Sequence, residues 1–182
     1  MHFGETGVGK SVIAYDLFER TRESKARLPV IINFSTQTSS RRTWYMIESK
    51  LLNRRDYFAA PPGQSVVLII DDFNMPAPDT FGSQPPLELL RQMLGTGGWQ
   101  DRTLLAFRAV KGVFTVAACG PTGGGRNKVS QRLTVLFTQL WVPQPNEKSF
   151  VRIFNSILME YIYTAFCWWN ERIGPTDCQG FS

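Results

Sequence analysis

The eight residues Gly4-Glu5-Thr6-Gly7-Val8-Gly9-Lys10-Ser11 fit the spacing G-x-x-x-x-G-K-[ST] without a mismatch. That spacing serves one chemistry. A glycine-rich turn lets backbone N–H groups wrap a run of phosphates that side chains would obstruct, Lys10 can reach the outer phosphates, and the Ser11 hydroxyl is placed to ligate Mg²⁺. A helical pattern opens at Lys10, with Ile13, Ala14, Leu17 and Phe18 on one face. Its positive N-terminal end therefore points at the same anion. The second chemical signal is Val66-Val67-Leu68-Ile69-Ile70 running into Asp71-Asp72. Five β-prone apolar residues in a row read as a central parallel strand covered on both faces. Such a strand delivers the acids at its C-terminal end to the rim where ligands bind in open α/β sheets. Asp71 is the metal-side candidate and Asp72 the candidate for polarising the attacking water; a simple strand-end turn is the alternative use of the pair.

The remaining candidates are weaker. Gly120-Pro121-Thr122-Gly123-Gly124-Gly125-Arg126-Asn127 looks like a second phosphate loop but has Arg126 where lysine belongs and Asn127 where serine or threonine belongs. It also opens no long helix, so it reads as a flexible connection from which Arg126 or Arg132 could face a neighbour's nucleotide. His2 stands alone. Cys119, Cys167 and Cys178 lack the paired spacing of a zinc site and read as inert thiols. Tyr161, Tyr163, Phe166, Trp168 and Trp169 read as a packing face.

These residues need a scaffold, and 182 residues at 43% hydrophobic suffice for one domain, or for a large and a small subdomain. The net charge of +5 is scattered along Arg20, Arg22, Lys25 and Arg27 and in the pairs Arg41–Arg42 and Arg54–Arg55. No stacking aromatics alternate with it, which argues for a solvated surface and against nucleic acid. The most apolar stretch, Ile153 to Trp169, carries Asn155 and Glu160 and is too short and polar for a membrane span; the composition reads as soluble and intracellular. Along the chain the pattern predicts a helix over 10–25, a strand over 30–34, a helix over 40–52, the strand 66–70 and a helix over 87–94. A hairpin over 99–111, a strand over 113–119, a short helix over 128–132 and a strand over 133–142 follow, then helix to Trp169. Alternating strands and helices specify an α/β fold with a mostly parallel sheet.

Taken together, these motifs resemble dynein heavy chains. The resemblance is carried by the phosphate loop, by Asn33-Phe34-Ser35-Thr36-Gln37-Thr38-Ser39-Ser40 and by Ile70-Asp71-Asp72-Phe73-Asn74-Met75-Pro76. Phe81-Gly82-Ser83-Gln84-Pro85-Pro86-Leu87-Glu88-Leu89-Leu90-Arg91-Gln92 and the loop 120–127 complete it. The chain looks most like the third AAA+ module of the motor ring, in its axonemal form. The resemblance implies a P-loop AAA+ three-layer sandwich with a five-stranded parallel sheet over residues 1–143, its first strand cut short, and the start of a helical lid over 144–182. It implies a site for ATP and Mg²⁺, with Gly4 to Ser11 on the nucleotide, Ser11 and Asp71 on the metal, and Asp72, Asn33 and Arg132 in catalytic roles.

Asn33 would hold Asp72 and release it when the γ-phosphate arrives, and Arg132 is the one survivor of the family's paired arginines near the fifth strand. Where AAA+ proteins often carry an asparagine after the fourth strand, this sequence has Gly120, and Asp72 replaces the usual glutamate, one methylene longer. The implied role is a regulatory nucleotide site in ATP-dependent, microtubule-based movement in the axoneme of a cilium or flagellum. Neighbouring AAA+ modules, intermediate and light chains and microtubules are the implied partners, with no nucleic acid and no membrane. The isolated fragment, lacking a neighbour's arginine, is expected to be inactive. The alternative is a non-hydrolysing AAA+ spacer.

Overall fold

A computed structural model describes residues 1–5, 7–22, 26–101 and 104–173. The chain divides into two compact units, Met1–Pro143 and Gln144–Ser182. The first unit runs β1 (His2–Phe3), α1 (Lys10–Arg22), β2 (Arg27–Asn33), α2 (Ser40–Glu48), β3 (Leu52–Asn53), β4 (Tyr57–Ala59) and β5 (Ser65–Asp71). It continues through α3 (Pro85–Thr96), β6 (Gly98–Gln100), β7 (Phe107–Lys111), β8 (Val113–Cys119), α4 (Gln131–Thr134) and β9 (Leu140–Trp141). The second unit contributes α5 (Glu147–Ile173).

Five strands form the main sheet in the order β2-β5-β8-β1-β9, and each pairing is parallel. The middle strand is β8, and β5 lies between it and the edge strand β2, paired on both sides as its unbroken apolar run predicts. The alternate β5 residues Val66, Leu68 and Ile70 are buried on one face with Val30 and Ile32 of β2. Ile69 is buried on the other face against Ala14 and Phe18 of α1. Each such side chain contributes about 1.5–3 kcal/mol of burial. Two helices, α2 and α3, cover the first face through Trp44, Ile47, Leu87 and Leu90, so the unit is a three-layer α/β/α sandwich. Pro29 sits within β2 without disrupting the ladder because β2 is an edge strand.

Several expectations need correction. Ile13 is exposed: among the described side chains of α1 the buried stripe is Ala14 and Phe18, four residues apart, and Ile13 falls to one side of it, while Leu17 lies outside the described side chains. The helix expected to reach Leu52 stops at Glu48, and Leu52–Asn53 instead pair with Phe58–Ala59. That pairing starts a second sheet, β3-β4-β7-β6, of which only the β6–β7 hairpin was expected. Its interior is held by Trp99, Phe58 and Trp44. Arg108, also buried, donates to Asp101 at 3.1 Å, to Asn53 and to the Arg54 carbonyl, over the face of Phe58.

The expected long strand 133–142 shrinks to Leu140–Trp141, because its partner β1 offers two rungs only; Leu133 is instead buried from helix α4. Tyr161 and Tyr163, expected in a packing face, are exposed on α5. The other three aromatics and Cys167 lie where side chains fall outside the described set, and Cys178 lies outside the described residues altogether. No helix among the described residues is long and apolar enough to cross a membrane.

Candidate nucleotide site

The C-terminal ends of β5 and β8 and the N-terminal end of α1 open onto one cleft of about 350 Å³. Gly7, Gly9, Lys10 and Ser11 line it from one side; Asp71 and Asp72 line it from the end of β5. Gly7 and Gly9 have φ of +86° and +85°, and a Cβ built on either would point into open space. The two glycines are thus required by backbone conformation and not by crowding. The room left beside them is the cradle a phosphate chain needs. Ile13 N–H makes the first helical bond, to Gly9, which leaves the amides of Lys10, Ser11 and Val12 without intrahelical partners. Lys10 Nζ donates to the Glu5 carbonyl at 2.5 Å, so the lysine caps its own loop. Gly4 and Val8 are buried behind the cleft and Glu5 is exposed; Thr6 lies outside the described residues.

The two aspartates differ. Asp71 is the last residue of β5, on the α1 face of the sheet beside Ser11, and its Oδ1 accepts the Asp72 N–H at 2.9 Å. Asp72 turns out of the strand with φ of +49°, a left-handed conformation that costs about 1 kcal/mol for a non-glycine residue. Its Oδ1 accepts from Arg126 Nη2 at 3.0 Å. An oxygen-rich pair of Ser11 and Asp71 fits Mg²⁺, which takes few protein ligands and prefers carboxylate and hydroxyl oxygen.

Asn33 pairs in register with Asp71 and shares its face of the sheet. Its side chain accepts a long hydrogen bond, 3.5 Å, from the Tyr15 hydroxyl, while the carboxylate of Asp72 is engaged by Arg126. Burial, followed by the charges of Asp71 and Asp72, raises the Tyr15 pKa. Arg132 is elsewhere: it lines a separate groove with Phe81, Gln84, Glu88 and Lys128. The structure thus gathers the phosphate loop, Asp71 and Asp72 in one place, with Asn33 adjacent and Arg132 apart.

The opposite wall departs from the expectation of a flexible connection. The glycine loop 120–127 is anchored and not free. Gly123 and Arg126 exchange backbone bonds of 3.0 Å, the Asn127 N–H donates to the Asn74 carbonyl at 2.8 Å, and Asn74 Nδ2 donates to Gly120 O at 2.9 Å. Asn127 Nδ2 and Gln84 Nε2 both donate to Pro76 O. This wiring turns Arg126 into its own chain's cleft. The sequence signal for it is the glycine loop with Arg126, expected to face a neighbour's nucleotide and found to face its own chain's cleft. Cys119 also lines the cleft, and burial pushes its thiol up to about 12 against the opposing pull of Lys10, the N-terminus and Arg126.

Residues 1–145 match the family described as the P-loop containing dynein motor region. The chain is 47% identical over 160 residues to human dynein axonemal heavy chain 6, covering 87% of this chain and 4% of that protein. It is 40% identical over 161 residues to human dynein axonemal heavy chain 1, covering 87% and 4%. With rat dynein axonemal heavy chain 12 it shares 38% over 162 residues, covering 88% and 5%. The chain therefore spans about one twentieth of the length of the curated relatives it matches, and it belongs to the dynein motor family as a P-loop AAA+ region.

Proposed function

We propose that the cleft binds ATP with Mg²⁺ and that the chain is the third AAA+ module of an axonemal dynein heavy chain, where it serves as a regulatory nucleotide site. The observation that carries this reading is the convergence of Lys10, Ser11 and Asp71 on a cradle opened by Gly7 and Gly9. In this reading the loop amides and Lys10 hold the phosphates, and Lys10 exchanges the Glu5 carbonyl for them. Ser11 and Asp71 hold the metal, whose role when bound is to neutralise phosphate charge. Asp72, with Asn33 near it, orients the attacking water. Arg132, in its separate groove, serves an adjacent module of the ring.

The parent motor would couple this site to microtubule-based movement in the axoneme of a cilium or flagellum. Its partners would be the other AAA+ modules of the same heavy chain, intermediate and light chains, and microtubules. The Gln144–Ser182 unit would be the start of the helical lid. A non-hydrolysing spacer is the second reading, and the pairing of Asp72 with Arg126 favours it for the state described here.

Calorimetric titration of the chain with Mg-ATP tests the site. Lys10→Ala should weaken binding at least about tenfold, equivalent to about 1.4 kcal/mol, and Asp71→Asn should reduce the dependence of affinity on Mg²⁺. Equal affinities for all three proteins would remove the site from consideration.

A further inference from the structure

We propose that Arg126 recognises the third phosphate of the nucleotide, and that its ion pair with Asp72 is the resting half of an exchange. The inference rests on the cleft being a nucleotide site and adds the residue that would distinguish a triphosphate from a diphosphate. Four observations support it. Arg126 lines the same cleft as Lys10, Ser11 and Asp71, on the opposite wall. Its Nη2 pairs with Asp72 Oδ1 at 3.0 Å while its Nε is buried without a hydrogen-bond partner. A guanidinium with unspent donors suits a phosphate, which accepts from two of its N–H groups at once.

The third observation is the space the arginine occupies. A Cβ on Gly120 would lie 2.7 Å from Arg126 Nε and 2.8 Å from its Cδ. Gly120 therefore leaves room at the end of β8 for the arginine stem to cross toward the cleft. The fourth is the anchoring of the backbone on either side, through Asn74 to Gly120 and Asn127 to Asn74. With both ends of the loop tied, the movable part is the side chain. The pair it leaves is partly exposed, with Asp72 at 46% and Arg126 at 22%, so solvent screens it and a denser anion can displace the carboxylate.

The exchange has a direct consequence. When Arg126 turns to the third phosphate, Asp72 loses its cation and becomes free to accept a hydrogen bond from a water at the cleft mouth. With a diphosphate the pair stays closed and Asp72 stays occupied. Arg126 thus acts as a specificity-determining group and as a positioning residue for Asp72.

Calorimetry with Mg-ATPγS and Mg-ADP separates this from a structural role, with circular dichroism melts confirming that each variant folds. Arg126→Ala should lose affinity for Mg-ATPγS by about tenfold while Mg-ADP changes by less than about twofold. Asp72→Ala, which releases the arginine, should tighten Mg-ATPγS and leave Mg-ADP unchanged. Arg126→Lys keeps the charge without the fork, should fold even if Arg126→Ala does not, and should lose at least about threefold for Mg-ATPγS alone. Equal losses for both nucleotides, no loss for Mg-ATPγS, or weaker Mg-ATPγS binding by Asp72→Ala would overturn the exchange. If the native chain binds neither nucleotide, the site reading itself fails. If it binds both through Lys10 with no change in either Arg126 variant, only the exchange fails.

Discussion

Gly7 and Gly9 stand in open space on one wall of the cleft, whereas Asn74 on the facing wall is 2% exposed and tied to Gly120, 46 residues away. The first wall is a backbone shape with almost nothing packed into it. The second is a set of long-range hydrogen bonds with one movable arginine at its edge. An open cradle is what a phosphate chain requires, since the amides at the start of α1 are left for the ligand. A wired wall holds its charges in register without a ligand. Changes to the first wall should therefore act on binding, and changes to the second on stability.

The largest expected effect breaks the wired wall. Asn74→Ala removes the partner of the buried Gly120 carbonyl and should destabilise the chain by about 1–3 kcal/mol. Lys10→Ala removes only a contact within an open loop and should stay within about 0.5 kcal/mol. Denaturant unfolding of the two variants checks the contrast, and equal losses would mean that the walls do not differ in kind.

A smaller effect concerns Cys119, which lines the cleft yet is only 2% exposed. Burial raises its thiol from an ordinary value of 9.0 to about 12, so the folded chain retains a proton that the unfolded chain loses first. The stability this contributes is fully present below pH 9 and is lost as pH rises toward 12. Unfolding curves at stepped pH should show the native chain losing stability relative to Cys119→Ala above pH 9, with parallel curves below it. A thiol that is alkylated rapidly at pH 8 without denaturant would place Cys119 with the open wall.

The same contrast explains what could be read from the sequence. The phosphate loop was legible because its function lies in consecutive residue types, and β5 because Val66 to Ile70 are apolar without interruption. Both end at the cleft, so Lys10, Ser11, Asp71 and Asp72 were found together. The placement of Arg126 in its own chain's cleft was not legible, because it depends on bonds from Asn74 and Asn127 across the space between two loops. The second sheet was missed for a related reason. Its strands β3 and β4 are two and three residues long, and β4 gains its place by pairing with β7, whose Ala109 lies 52 residues beyond Tyr57. The span 133–142 failed differently: its apolar residues suit a strand, but the neighbouring ladder accepts only Leu140 and Trp141.

Hydrogen–deuterium exchange with and without Mg-ATP tests the central claim, that one cleft between these two walls receives the nucleotide. The account predicts slowed exchange at the amides of Gly7 to Ser11, together with a change in the 120–127 loop as Arg126 leaves Asp72. Protection confined to other parts of the chain, or no protection at all at saturating Mg-ATP, would contradict it.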